Sequence, residues 1–221
     1  MRVAAILLVV AAQGAFPLRA VSAPSESIGD SVPSEEEPKF GGPAAGEEAP
    51  NVTLRDTLGR ELDLKSLWEE KPMVLVTGSW SCPVYRNRAA GFERLFERYG
   101  GRAKFVVLYT VEAHPAGSAS PYSHEEWVTD ENRKEGLLLK QPATFEERAQ
   151  MASRCRTALG LGMPFLVDGM DNAAWERYGN APNACYLINS KGEVVLRQDW
   201  LDPPALEKEL LAALLEEPAK W

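Results

Sequence analysis

The chain has 221 residues but only three cysteines, Cys82, Cys155 and Cys185, and two histidines, His114 and His124. Tyr85 stands three residues after Cys82, so the Cys-x-x-Cys redox pair is missing. No metal and no bound cofactor are expected. Long apolar runs are missing too. The stretch from Val3 to Leu18 is broken by Gln13 and falls short of the roughly 20 residues that a membrane-spanning helix needs, so no permanent membrane span is expected. Positive charge is in deficit: 24 Lys and Arg face 32 Asp and Glu, a formal net charge of -8. With no basic patch and no aromatic residues interleaved with basic ones, nucleic acid is not an expected partner.

What is present divides the chain into three. Met1-Arg2, the apolar stretch to Ala12 and the small residues through Val21-Ser22-Ala23 read as a secretory signal over residues 1–23. The protein is therefore expected to be exported, to a periplasm or beyond. Residues 24–49 are rich in Pro, Gly, Ser and Glu, with Glu35-Glu36-Glu37 and Glu47-Glu48, and are expected to form a disordered acidic tether. Residues 50–221 hold enough apolar sequence for one core.

Within that domain the periodicities alternate. Asn51 to Leu64 reads as a hairpin around Asp56-Thr57-Leu58-Gly59, and Met73 to Thr77 as a central strand. After Cys82-Pro83, residues Tyr85, Ala89, Phe92, Phe96 and Tyr99 recur at steps of four and three, the buried stripe of a helix that Gly100-Gly101 ends. Lys104 to Tyr109 is a second strand, followed by a long polar loop through Lys134. Thr144, with Glu147 three residues on, opens a helix to about Leu159. Then come a strand at Pro164 to Val167, a short helix at Asn172 to Tyr178, a hairpin of Ala184 to Ile188 with Glu193 to Arg197, and a helix from Pro204 to Glu217. The order strand, helix, strand, helix, strand, hairpin, helix is that of a thioredoxin-like α/β fold, a central mixed sheet flanked by helices, here with an N-terminal hairpin extension. Ala181-Pro182 precedes the hairpin where this architecture sets a cis proline beside a reactive cysteine, so a cis bond and a substrate contact at Pro182 are expected.

Cys82 lies at the break between strand and helix. Pro83 suits the first helical position, which makes Cys82 the N-cap. A free thiol of pKa about 8.5 is only roughly 3 % ionised at pH 7, and the positive end of a helix lowers that pKa by one or more units, so a reactive thiolate is expected here. Ser79 and Ser81 offer hydroxyls to the thiolate or to a bound substrate. Cys155 on its helix and Cys185 in its strand fit buried packing positions. Cys185 is the favoured resolving thiol, because that strand end approaches the active-site helix. His124 fits a surface position.

Gly78-Ser79-Trp80-Ser81-Cys82-Pro83-Val84-Tyr85 and Leu108-Tyr109-Thr110-Val111-Glu112-Ala113-His114-Pro115 together resemble the iodothyronine deiodinase family. The resemblance continues through Phe145-Glu146-Glu147-Arg148, Pro164 to Asn172, Tyr178-Gly179 and Tyr186-Leu187-Ile188. In that family the Cys82 position is usually selenocysteine and a Glu-Ala-His signature follows the next strand. The resemblance implies that Cys82 attacks the iodine of an aromatic substrate, that His114 with Glu112 handles the proton, and that an external thiol restores the sulfur. It also carries an expectation of a homodimer. Two departures matter. A thiol is less ionised and less nucleophilic than a selenol, so slower turnover is expected, and the run after His114 differs from the family's Asp-Gly-Trp, so substrate recognition is expected to differ. The chain looks like the bacterial deiodinase-like relatives. The competing readings are a thiol peroxidase or thiol-disulfide oxidoreductase, for which Leu75 stands where a peroxiredoxin has proline, and a non-catalytic ligand- or copper-binding module, which lacks a second cysteine near Cys82.

Overall fold

In the computed structural model, which describes residues 40–216, the chain forms β1 (Thr53–Asp56), β2 (Glu61–Asp63), α1 (Leu64–Glu70), β3 (Met73–Gly78), α2 (Pro83–Tyr99), β4 (Lys104–Tyr109), α3 (Asp130–Glu135), α4 (Phe145–Ala158), β5 (Phe165–Val167), α5 (Ala173–Arg177), β6 (Cys185–Ile188), β7 (Val194–Gln198) and α6 (Pro203–Glu216). The strands make one seven-stranded sheet in the order β2-β1-β5-β4-β3-β6-β7. β3, β4 and β5 are parallel, while β6 runs antiparallel to β3 and β7 antiparallel to β6. Every residue of β3 is buried, as a central strand covered on both faces must be. The fold is thioredoxin-like and α/β.

The sheet divides the core in two. On one face α2, α4 and α6 pack over Val74, Val76, Phe105, Val107, Phe165 and Leu187. On the other, α1 and α5 cover Leu75, Val106, Leu108, Leu166 and Tyr186. Alternate residues of each strand serve opposite faces, the period of two that a pleated strand imposes. The N-terminal hairpin turns on Asp56, whose carboxylate accepts from the amides of Leu58 (2.8 Å) and Arg60 (3.0 Å). It also extends the main sheet, because β1 pairs antiparallel with β5.

Three expectations need correction. Residues 40–49 are not a loose tether: Gly46 N donates to Val194 O (2.8 Å), Val194 N to Glu47 O (2.9 Å) and Ala49 N to Gly192 O (2.7 Å), so this segment lines the free edge of β7. Its backbone pairing supplies what its side chains lack in apolar surface. The signal segment and residues 24–39 of the tether lie outside the described residues. The loop expected through Lys134 contains α3, and the hairpin runs on into α1, whose only buried residues are Leu64 and Trp68. The Ala181–Pro182 bond is trans. The chain reverses earlier, through left-handed Gly179 (φ 89) and Asn180 (φ 48), and Thr77 then clasps both sides of Pro182: its hydroxyl donates to Ala181 O (3.1 Å) and accepts from Ala184 N (2.8 Å).

Candidate active site

The end of β3 delivers Cys82 to the first turn of α2. Cys82 is the N-cap and Pro83 the first helical residue, and the thiol sulfur accepts from Tyr85 N at 3.4 Å. Gly78 makes this turn feasible, since a Cβ there would lie 2.5 Å from the Tyr85 ring. The ring therefore covers the strand end directly, and Tyr85, Ala89, Phe92, Leu95 and Tyr99 form the buried stripe of α2, with Phe96 only partly buried at its margin.

Cys82 is itself buried, which reverses the expected ionisation. Burial pushes the thiol up from 9.0 to about 11, outweighing the Tyr85 and Val84 amides and the Arg86 charge that favour the thiolate, while Glu112 opposes it further. The expectation of a lowered value counted the helix end and left out the cost of taking a thiolate out of water.

Glu112 and His114 come from the segment after β4, and Ser81 joins both to Cys82. The Ser81 amide donates to Glu112 Oε2 (2.8 Å), and its hydroxyl accepts from the His114 amide (3.0 Å). Ser79 does the same one residue earlier, its hydroxyl accepting from Ala113 N (3.1 Å). The two serines thus hold the backbone that carries His114. Glu112 is fully buried; its second oxygen takes the hydroxyl of Tyr109, which in turn accepts from Trp80 N (3.2 Å). Burial raises the Glu112 carboxyl above its ordinary value, against the pull of Ser81 and Tyr109. One carboxyl oxygen thus binds the Cys82 loop and the other the end of β4, and Glu112 is linked to the His114 backbone through Ser81.

The His114 ring has one defined polar partner, the main-chain carbonyl of Trp127, 3.1 Å from Nδ1. Burial lowers its pKa below 6.5, Trp127 O pulls the other way, and the Arg86 charge adds to the lowering. Arg86 ties the assembly together. Its guanidinium donates to Trp80 O (2.9 Å) and to Glu135 of α3 (2.9 Å). From α3, Asn132 donates to Ser81 O (2.8 Å), and Gln141 exchanges bonds with the Glu112 backbone (2.8 and 3.3 Å).

Of the residues named from the sequence, the structure brings together Cys82, Glu112, His114, Ser79 and Ser81, and it adds Tyr109, Arg86, Asn132, Trp127 and Gln141, which the sequence did not point to. Tyr109 reads as an ordinary strand aromatic, and nothing in its spacing reports where the hydroxyl goes. Pro182 lies in the buried turn clasped by Thr77. Cys185 sits in β6 opposite Val76 and Gln198, and Cys155 on α4; both thiols are buried, unpaired and pushed up by burial. Among the groups acting on the Tyr85 hydroxyl are Cys155 and Cys82. His124 is exposed. Among the described residues, no helix is long and apolar enough to cross a membrane.

Comparison with known proteins places this geometry. The chain is 25% identical over 175 residues to type I iodothyronine deiodinase of Xenopus laevis, covering 77% of this chain and 62% of that one. It is 29% identical over 150 residues to human thyroxine 5-deiodinase, covering 68% of this chain and 44% of the human protein. The match therefore spans about half of these relatives' length. A solved structure described as a putative protein disulfide isomerase from Bacteroides thetaiotaomicron shares the fold, with a TM-score of 0.57, 16% identity and coverage of 80% of this chain and 94% of that one. The family model for iodothyronine deiodinase matches residues 39–216, which takes in every element from β1 to α6 and the whole site around Cys82: the chain belongs to the iodothyronine deiodinase family.

Proposed function

We propose that this protein is a thiol-dependent oxidoreductase that removes iodine reductively from an aromatic substrate, with Cys82 as nucleophile and His114 as proton partner. The observation that carries the reading is Ser81, whose amide and hydroxyl join Glu112 and the His114 backbone to the residue before Cys82. A buried thiol held at about 11 needs a base to become a nucleophile, and we assign that base to His114, whose backbone Ser81 ties to the residue before Cys82.

The thiolate attacks iodine, the C–I electron pair returns to the ring carbon, and that carbon takes the proton from the His114 imidazolium. The products are the deiodinated ring and a sulfenyl iodide on Cys82. An external thiol attacks that sulfur, iodide leaves and a mixed disulfide forms; a second thiol restores Cys82 and carries away the disulfide. The cycle needs no bound cofactor, only the external thiol reductant. Glu112 and Tyr109 fix the loop that presents the thiol. The apolar leader fits export, where such a protein would meet its small-molecule substrate, and a homodimer fits the family.

The test is iodide release from iodothyronines and iodotyrosine by the full chain with dithiothreitol. Cys82→Ser is expected to lower release by at least about 10³-fold, and His114→Ala to lower kcat by about 10²-fold. A folded wild type that releases no iodide but consumes peroxide or reduces disulfides would overturn the proposed substrate and leave the thiol chemistry.

A further inference from the structure

Trp127 is 47% exposed, beside a histidine that is only 7% exposed. Its indole meets the His114 ring edge-on, with centroids 4.4 Å apart and planes at 89°. The same residue supplies the carbonyl that Nδ1 faces at 3.1 Å. A carbonyl oxygen only accepts, so this contact is a hydrogen bond only when Nδ1 carries the proton. In the neutral ring that leaves Nε2 with the lone pair.

We infer that Trp127 is a positioning residue for His114: its carbonyl selects the Nδ1–H tautomer, and its indole walls the imidazole from water, so that Nε2 is the nitrogen that exchanges protons in the site. The inference rests on the role proposed for His114 above and names the nitrogen through which that role is exercised. Two features make this placement durable. Trp127 stands two residues before Thr129, the N-cap of α3, whose side chain accepts from Asn132 N (3.2 Å), and Asn132 is bonded to Ser81 O, so the start of α3 that carries Trp127 is tied to the Cys82 loop. The His114 backbone is separately fixed by Ser81. The titratable and charged groups on the adjoining segments are Arg86 on α2, Cys82 and Glu112 on the two segments bonded through Ser81, Glu125 and Glu126 before Trp127, of which Glu126 accepts from Gly117 N (2.9 Å), and Asp130, Glu131, Arg133, Lys134 and Glu135 of α3, where Glu131 and Glu135 meet Arg86. Of these, the Arg86 charge acts on the ring.

The test is nitrogen NMR of the two imidazoles in the full chain, with exposed His124 as the internal reference. Wild type is expected to show His114 with Nδ1 protonated and Nε2 bare, and a midpoint below 6.5. Trp127→Ala keeps the main-chain carbonyl and so is expected to leave the proton on Nδ1, but to admit water and move the midpoint up toward 6.5, while Trp127→Phe restores most of the wild-type midpoint. In iodide release, the acid limb of the kcat profile should follow the same order with little change in KM. A wild-type His114 with its proton on Nε2 overturns the inference. So does a Trp127→Ala protein with an unchanged midpoint. If Trp127→Ala does not fold, the wild-type spectrum and Trp127→Phe decide. Full iodide release by His114→Ala would instead overturn the catalytic role of His114 and leave the tautomer result standing.

Discussion

The site is made by two unlike segments. Residues 79–82 are a tight link between a buried strand and a helix, whereas residues 110–144 wander between β4 and α4 with only α3 as regular structure. Neither satisfies all of its own backbone. The short link receives Trp80 N on Tyr109, Ser81 N on Glu112, Trp80 O on Arg86 and Ser81 O on Asn132. The long excursion receives Ala113 N and His114 N on the hydroxyls of Ser79 and Ser81. Each thus serves as the template for the other, and buried backbone groups left unpaired would cost about 1–3 kcal/mol apiece. The short segment owes its place to the scaffold; the long one owes its place to the short one.

The largest effect should come from the burial of the thiol. With Cys82 held at about 11, its alkylation by iodoacetamide should rise about tenfold per pH unit from neutrality and level off only near that value. Peptide mass spectrometry, with Cys155 and Cys185 read in the same samples, checks this. A plateau near pH 7 would mean that the helix end, and not the packing, governs the thiol.

Next in size is Glu112→Gln. Both carboxyl oxygens accept, from Ser81 N and from Tyr109, and an amide offers one acceptor and turns a donor toward the other partner. The cost should be about 1–3 kcal/mol, seen as a lower urea midpoint at unchanged slope. The pH dependence fixes the cause. Because the folded carboxyl lies above its ordinary 4.5, the native state holds a proton that the unfolded chain has lost, so stability falls as pH rises from 4.5 through the raised value. Glu112→Gln should flatten that fall; an unaltered profile would show that some other carboxyl causes it.

The two segments were also unequally legible. Cys82-Pro83, the strand before it and the helical stripe after it follow from periodicity and capping. Only the margin shifted, where Leu95 takes the buried place expected for Phe96, which instead packs at the edge against Phe105 (6.0 Å between rings). Glu112 and His114 were named by resemblance, not by pattern. α3 was missed because all six of its residues, Asp130 to Glu135, are polar and the one it buries is Asn132. Hydrophobic periodicity has nothing to detect there. The capping signals were present all the same: Thr129 at the N-cap, Asp130 and Glu131 in the first turn, Arg133 and Lys134 in the last, and left-handed Gly136 (φ 67) as the stop. The tether was misjudged over residues 40–49 for the opposite reason, since backbone pairing with the β7 edge leaves no trace in side-chain composition.

The smallest expected effect separates what positions the excursion from what merely accompanies it. Arg86 meets Glu135 at 2.9 Å and Glu131 at 3.8 Å, but those carboxylates are 48% and 41% exposed, whereas the arginine side chain is 8% exposed. Solvent screening should hold the pair of ion contacts to less than about 1 kcal/mol. Glu131→Gln with Glu135→Gln is therefore expected to lower the urea midpoint only slightly, by an amount that added salt erases. The guanidinium keeps its bond to Trp80 O, so iodide release should stay close to wild type. A loss as large as that of Glu112→Gln would mean that α3 is held by charge and not by Asn132, and the excursion would then answer to ionic strength where the Cys82 link does not.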